Sequence, residues 1–123
     1  MPMPSQIATL SIDAVEPLSL ARFWSAVLGW EYGIDGDGDV RVEPAVGHPD
    51  HGAVPPLLFL AVPESKSVKN RLHLDLRPDD QELEVERLEA LGATRASVGQ
   101  TGDEGWVVLA DPEGNEFCVL AVS

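Results

Sequence analysis

The stretch Asp111-Pro112-Glu113-Gly114-Asn115-Glu116-Phe117-Cys118-Val119-Leu120 decides the fold. Asp-Pro opens a turn, because proline fixes φ at the second position. Gly-Asn closes it, because both residues tolerate φ above zero. Apolar runs flank the turn at 106–110 and 117–122. The whole reads as a β-hairpin with one apolar and one mixed face.

Upstream of this hairpin the chain reads as one pattern written twice. Residues 7–14 form a strand in which Ala8, Leu10 and Ile12 point one way and Ile7, Thr9, Ser11 and Asp13 the other. Pro17 suits the first turn of the helix that follows. Leu20, Ala21, Trp24, Val27 and Leu28 recur at helical spacing, and Gly29 stops it. Strands are expected at 30–34, 40–43 and 57–62, with a turn at 35–39, a Gly/Pro/His loop at 44–56 and a connector at 64–70. A second alternating strand at 71–77 puts Leu72, Leu74 and Leu76 on one face and Arg71, His73, Asp75 and Arg77 on the other. Asp79 is the expected cap of the next helix, with Glu82 completing a capping box. Leu83, Leu88 and Leu91 are its expected stripe, with Val85 beside it, and Gly92 its stop. A strand at 93–97 and a turn at 98–104 lead to the hairpin. The order is β-α-β-β-β twice, and the intervals Thr9 to Gly29 and His73 to Gly92 are nearly equal. Two fused half-sheets, each laying one face on its helix, account for the repeat. The remaining polar faces then line a shared cleft.

The 123 residues suffice for one domain with a core, and 44% apolar content excludes a disordered chain. A net charge of −13 argues against nucleic acid and anionic membrane as partners, since either calls for a basic face. One cysteine excludes an intrachain disulfide and predicts a cytoplasmic protein. Residues 1–6 lack a basic and then apolar run, so no secretory leader is expected, and no apolar stretch is long enough to span a membrane.

The chain resembles the vicinal oxygen chelate superfamily, which includes glyoxalase I, bleomycin-resistance proteins and extradiol dioxygenases. The residues that carry the resemblance are Phe23-Trp24 and Leu28-Gly29-Trp30, then 70–76 (NRLHLDL), then Asp111-Pro112-Glu113-Gly114-Asn115. It covers nearly the whole chain and is nearest to small glyoxalase-like proteins of unassigned substrate. It implies an α+β fold: a single glyoxalase-like domain over 1–123, with module one at about 6–65 and module two at about 69–123. The two βαβββ modules are expected to form a cupped, incomplete barrel with outer helices, assembled as a homodimer. It also implies four metal-ligand positions in the metal-binding members. These fall on Thr9, near Phe59 or Leu60, on His73 and on Cys118, so that only His73 carries the expected residue. No cofactor is therefore expected; a divalent metal held through His73 and Cys118 is the alternative.

His73 is the candidate catalytic residue, as base, ligand or hydrogen-bond donor, and Asp75 and Arg77 share its face. Thr9, Ser11, Trp30, Phe59, Trp106 and Cys118 complete the expected cleft lining. Cys118 with His73 has the makings of a zinc site or a nucleophile, and equally of a small buried side chain. His48-Pro49-Asp50-His51 is a weak metal pattern on a loop. Asp35-Gly36-Asp37-Gly38-Asp39 fails as a calcium loop, because Val40 and Val46 stand where Gly and Glu are needed. Lys66, Lys69 and Arg71 are either a lure for anionic substrate or a solvated connector. Three classes remain open: a small-molecule binder of the drug-sequestering kind, a metal-dependent glyoxalase-like enzyme, and a metal-free lyase or isomerase using His73.

Overall fold

The computed structural model describes residues 4–96 and 105–122. The chain divides into two compact units, Met1–Glu64 and Ser65–Ser123, within the expected connector. The first unit runs β1 (Leu10–Ala14), α1 (Pro17–Leu28), β2 (Glu31–Asp35), β3 (Asp39–Glu43) and β4 (Leu57–Ala61). The second runs β5 (Asp75–Leu76), α2 (Gln81–Leu91), β6 (Thr94–Arg95), β7 (Trp106–Ala110) and β8 (Glu116–Leu120). The α+β class and the doubled β-α-β-β-β order hold. Each unit is a four-stranded open sheet with one helix, ordered β1-β4-β3-β2 and β5-β8-β7-β6. In both, the first strand pairs parallel with the last and the other pairings are antiparallel.

In the first unit, Leu20, Ala21, Phe23, Trp24 and Val27 of α1 are buried, and Phe23 meets Trp24 edge-on with ring centroids 5.3 Å apart. Val40, Val42, Leu57 and Phe59 supply the sheet side of this core. Gly29 ends the helix as expected, at φ 68°, in the left-handed region that glycine enters at least cost. β1 is shorter than the alternation of 7–14 predicts. Its register pairs Leu10 with Leu57, so the preceding residues face Pro55 and Pro56, which have no N–H to give to a ladder. β2 begins at Glu31, because Trp30 still belongs to the helix end: its N–H reaches the Ser25 carbonyl at 3.1 Å.

The second unit departs from the sequence reading in three places. The strand expected at 71–77 shrinks to Asp75–Leu76. The Glu116 carbonyl, which the next ladder step would use, accepts instead from the Asn70 side chain at 3.2 Å. The cap of α2 is Asp80, not Asp79: its Oδ1 accepts from the Leu83 N–H at 3.0 Å. The buried stripe of α2 is Val85 and Leu88, whereas Leu83 and Leu91 are exposed. Leu83 and Val85 are two positions apart, hence about 200° apart around the axis. The turn expected at 98–104, and Ser97 at the end of the expected sixth strand, lie outside the described residues.

The hairpin forms from β7 and β8, with Trp106 opposite Leu120 and Val108 opposite Cys118. Gly114 takes φ 86°, but Asn115 does not need the left-handed region. Its role is different. Its backbone N–H and its side-chain amide both bond the carboxylate of buried Asp111, at 3.0 Å each, and the Glu113 N–H adds a third donor at 2.9 Å. The turn is an anion held in a ring of N–H groups.

Candidate functional site

β8 lies inside the second sheet, between β5 and β7. Its alternation separates two environments. Phe117 and Val119 face the core with Leu109 and the buried positions of α2. Glu116, Cys118 and Leu120 face the other way, with Trp106, Val108 and Ala110 of β7 and Asp75 of β5 in register beside them. This second face has an apolar end at Trp106 and Leu120 and a polar end at Asp75, Cys118 and Glu116.

At the polar end, side chains of three chemistries meet. Asp75 is the parallel-register partner of Cys118, and the Cys118 N–H fixes the approach by donating to the Leu74 carbonyl at 2.9 Å. His73 reaches back over this point, with Nε2 3.3 Å from Asp75 Oδ1. One ligating atom from each of His73, Asp75 and Cys118 lies within 4.8 Å of the other two. His73 and Asp75 are half exposed and Cys118 is buried. Burial pushes the Cys118 thiol up, and the charge of Asp75 and a hydrogen bond to it act the same way, against a weak opposing pull from Lys69. The side chain is thus held as a thiol at neutral pH, which disfavours the nucleophile reading.

Next along β8, Glu116 is ion-paired with Lys66 at 2.9 Å, both side chains largely buried. Burial alone would raise the Glu116 carboxyl; the bond from Lys66, backbone bonds and the Lys66 charge overcome it and hold the group below its ordinary range. Lys66 is therefore committed to this pair and is not a free lure for anions. Sequence reading missed this pairing and the meeting of Asp75 with Cys118. Only the β5–β8 register brings them together, and no spacing in the chain signals it.

The other expected site residues scatter. Trp106 is 45% exposed at the apolar end of the same face. Arg77 lies past β5, and its guanidinium donates to the Ala121 carbonyl. In the first unit Ser11 is exposed, on the sheet face turned away from α1, and Thr9 precedes β1. Phe59 corrects the expectation of a cleft wall: it is 0% exposed, in register with Val40 and Ile12 on the helix side of its sheet. Trp30 is likewise buried behind the end of α1, its indole N–H without a protein acceptor among the described residues. His48 is taken up locally, its Nδ1 accepting the Asp50 N–H at 3.0 Å, while His51 stays exposed on the loop.

The four-position metal set implied by the resemblance does not fit these residues. Phe59 and Leu60 have no ligating atom, Phe59 is sealed in a core, and Thr9 offers only a neutral hydroxyl. His73 and Cys118 do meet, joined by Asp75 rather than by the other two positions.

Residues 9–120 match the family model of the glyoxalase-like domain. Solved structures of the same fold include a glyoxalase/bleomycin resistance/dioxygenase family enzyme from Burkholderia phytofirmans, with 20% identity, a TM-score of 0.68, and 94% of this chain and 98% of that one covered. An antibiotic-binding protein from Streptomyces superposes over 100% of both chains at 21% identity and a TM-score of 0.66. The fosfomycin resistance protein of Listeria monocytogenes, complexed with Mn(II) and 1S,2S-dihydroxypropylphosphonic acid, has 15% identity and a TM-score of 0.69, over 98% of this chain and 93% of that one. No curated protein matches the sequence.

Proposed function

Because the chain belongs to the glyoxalase-like domain family, and with it to the vicinal oxygen chelate superfamily, we propose that it is a cytoplasmic protein that captures a small organic molecule. The two modules serve as one domain and do so without the four-position metal set. The observation that carries this reading is the mixed face of the second sheet. It sets a half-exposed tryptophan and Leu120 at one end and the His73–Asp75 pair at the other. Such a face suits a flat, largely apolar ligand with a polar edge: the indole takes the ring and the imidazole the edge. The antibiotic-binding relative supports the class, since it pairs the same fold with capture of a small molecule. Among the described residues, no helix is long and apolar enough to cross a membrane.

The test is a thermal-shift screen of aromatic small molecules, followed by titration of each hit on tryptophan fluorescence. His73→Ala and Trp106→Ala should each weaken binding about tenfold. Because His73 is half exposed, His73→Ala should leave the melting temperature of the free protein nearly unchanged. Hits bound equally well by both variants would refute the assignment of this face.

A second reading rests on the 3.3 Å contact between His73 Nε2 and Asp75. With Nε2–H donating to the carboxylate, Nδ1 keeps its lone pair and is oriented to take a proton from a bound substrate, as in a metal-free lyase or isomerase. Turnover of a hit, lost in His73→Ala and reduced in Asp75→Asn, distinguishes this from capture alone.

A further inference from the structure

We propose that the free edge of β2 and the stretch Val68-Lys69-Asn70-Arg71-Leu72 are the two halves of a contact between copies of this chain. Each copy offers both halves: an acidic strand edge, and a basic and apolar segment that covers it. The contact needs neither the ligand face nor its occupant.

β2 ends the first sheet and pairs only with β3. All five of its residues are exposed, Ile34 at 74% and Tyr32 at 44%. No other element bonds the outer side of its backbone among the described residues. Alternation puts Tyr32 and Ile34 on one face and Glu31, Gly33 and Asp35 on the other. Glu31 stands directly across from Glu43, and Asp35 from Asp39, while Arg41 pairs with Asp35 alone. Two like-charged cross-strand pairs are unfavourable, and a base laid beside Glu31 relieves one of them. The edge also rejects its own twin: antiparallel pairing of two β2 strands about Gly33 sets Glu31 against Asp35 twice.

The complementary segment is on the same chain. Of the eight lysines and arginines, six are engaged: Arg22 with the Tyr32 hydroxyl, Arg41 with Asp35, Lys66 with Glu116, Arg77 with the Ala121 carbonyl, Arg87 with Glu84 and Arg95 with Glu89. Lys69 and Arg71 are exposed and make no ion pair or hydrogen bond among the described residues. Beside them Val68 is 75% and Leu72 84% exposed. The Lys66 ion pair and the Asn70 side chain pin this stretch to Glu116 of β8 and leave those four side chains outward.

The two patterns match. Drawn out beside β2, residues 68–72 set Lys69 and Arg71 on the face of Glu31 and Asp35, and Val68 and Leu72 on the face of Tyr32 and Ile34. Either strand direction has a register that places a base opposite Glu31. A strand edge on one copy meeting a different surface on the next is a head-to-tail contact, which closes only when both copies use it reciprocally.

The test is sedimentation of the whole chain from micromolar to millimolar concentration, at low and high salt. The expected result is a species of two copies or more, which dissociates as salt screens the charges. Glu31→Lys should weaken association about tenfold or more, and so should Lys69→Glu combined with Arg71→Glu. The chain carrying all three changes should recover it, which a merely misfolded variant would not do. Glu86→Lys, an exposed position on α2 with the same change in net charge as Glu31→Lys, should not weaken it. A monomer throughout, association indifferent to Glu31→Lys, or no recovery in the triple variant would each overturn the assignment.

Discussion

Replacing Asp111 with alanine removes the acceptor at the centre of the hairpin turn and leaves its backbone path in place. Asp111 is 4% exposed, and its carboxylate takes the Glu113 N–H, the Asn115 N–H and the Asn115 side-chain amide at 2.9–3.1 Å. A net hydrogen bond is worth about 1 kcal/mol, and more when the acceptor is charged, so three donors set an upper figure of about 3–4 kcal/mol. Two backbone bonds survive the change, Asp111 N–H to Asn115 O and Gly114 N–H to Asp111 O, both at 2.9 Å. Pro112 and Gly114 are exposed, so water can reach part of the vacated ring. The expected loss is therefore about 2–3 kcal/mol, or a fall in Tm of about 8–12 °C for a chain of this size. Urea unfolding followed by circular dichroism measures the first quantity and a thermal scan the second. Asn115→Ala should cost about 1 kcal/mol, and the double variant should show coupling of similar size. A loss below about 0.5 kcal/mol for Asp111→Ala would refute the claim that this carboxylate organises the turn.

Two further outcomes follow from the second unit. Asp80→Ala should destabilise by about 1 kcal/mol as a lost helix cap, whereas Asp79→Ala should be near neutral; the reverse order in a denaturant series would restore the sequence expectation. Lys66→Met should destabilise at neutral pH by about 1 kcal/mol. Glu116 titrates lower in the folded chain than in the unfolded one, so the stability it contributes is present above its unfolded pKa and is lost as pH falls through the folded value. The gap between parent and Lys66→Met should accordingly close in acid, and a gap that persists there would point to lost packing rather than a lost ion pair.

The sequence by itself determined the doubled β-α-β-β-β order, both helices and the closing hairpin, because these rest on local causes. Periodicity marks the helices, Gly29 and Gly92 stop them, and the Asp-Pro and Gly-Asn pairs mark the turn. It also named His73, Asp75, Trp106 and Cys118 among its candidate site residues, together with Thr9, Ser11, Trp30, Phe59 and Arg77. What the chain could not declare were pairings between residues distant along it. The β1–β4 register sets Pro55 and Pro56 against the start of β1 and shortens it. A side chain, Asn70, displaces the ladder that an alternating pattern promised for 71–77. Phe59 looked like a wall residue because an apolar strand has no marked inner face until its helix is placed; packing assigned it to the core. The same kind of decision placed Asp75 beside Cys118: the sequence had already paired Cys118 with His73, but only the parallel register of β5 with β8 sets the Asp75 carboxylate next to that sulfur.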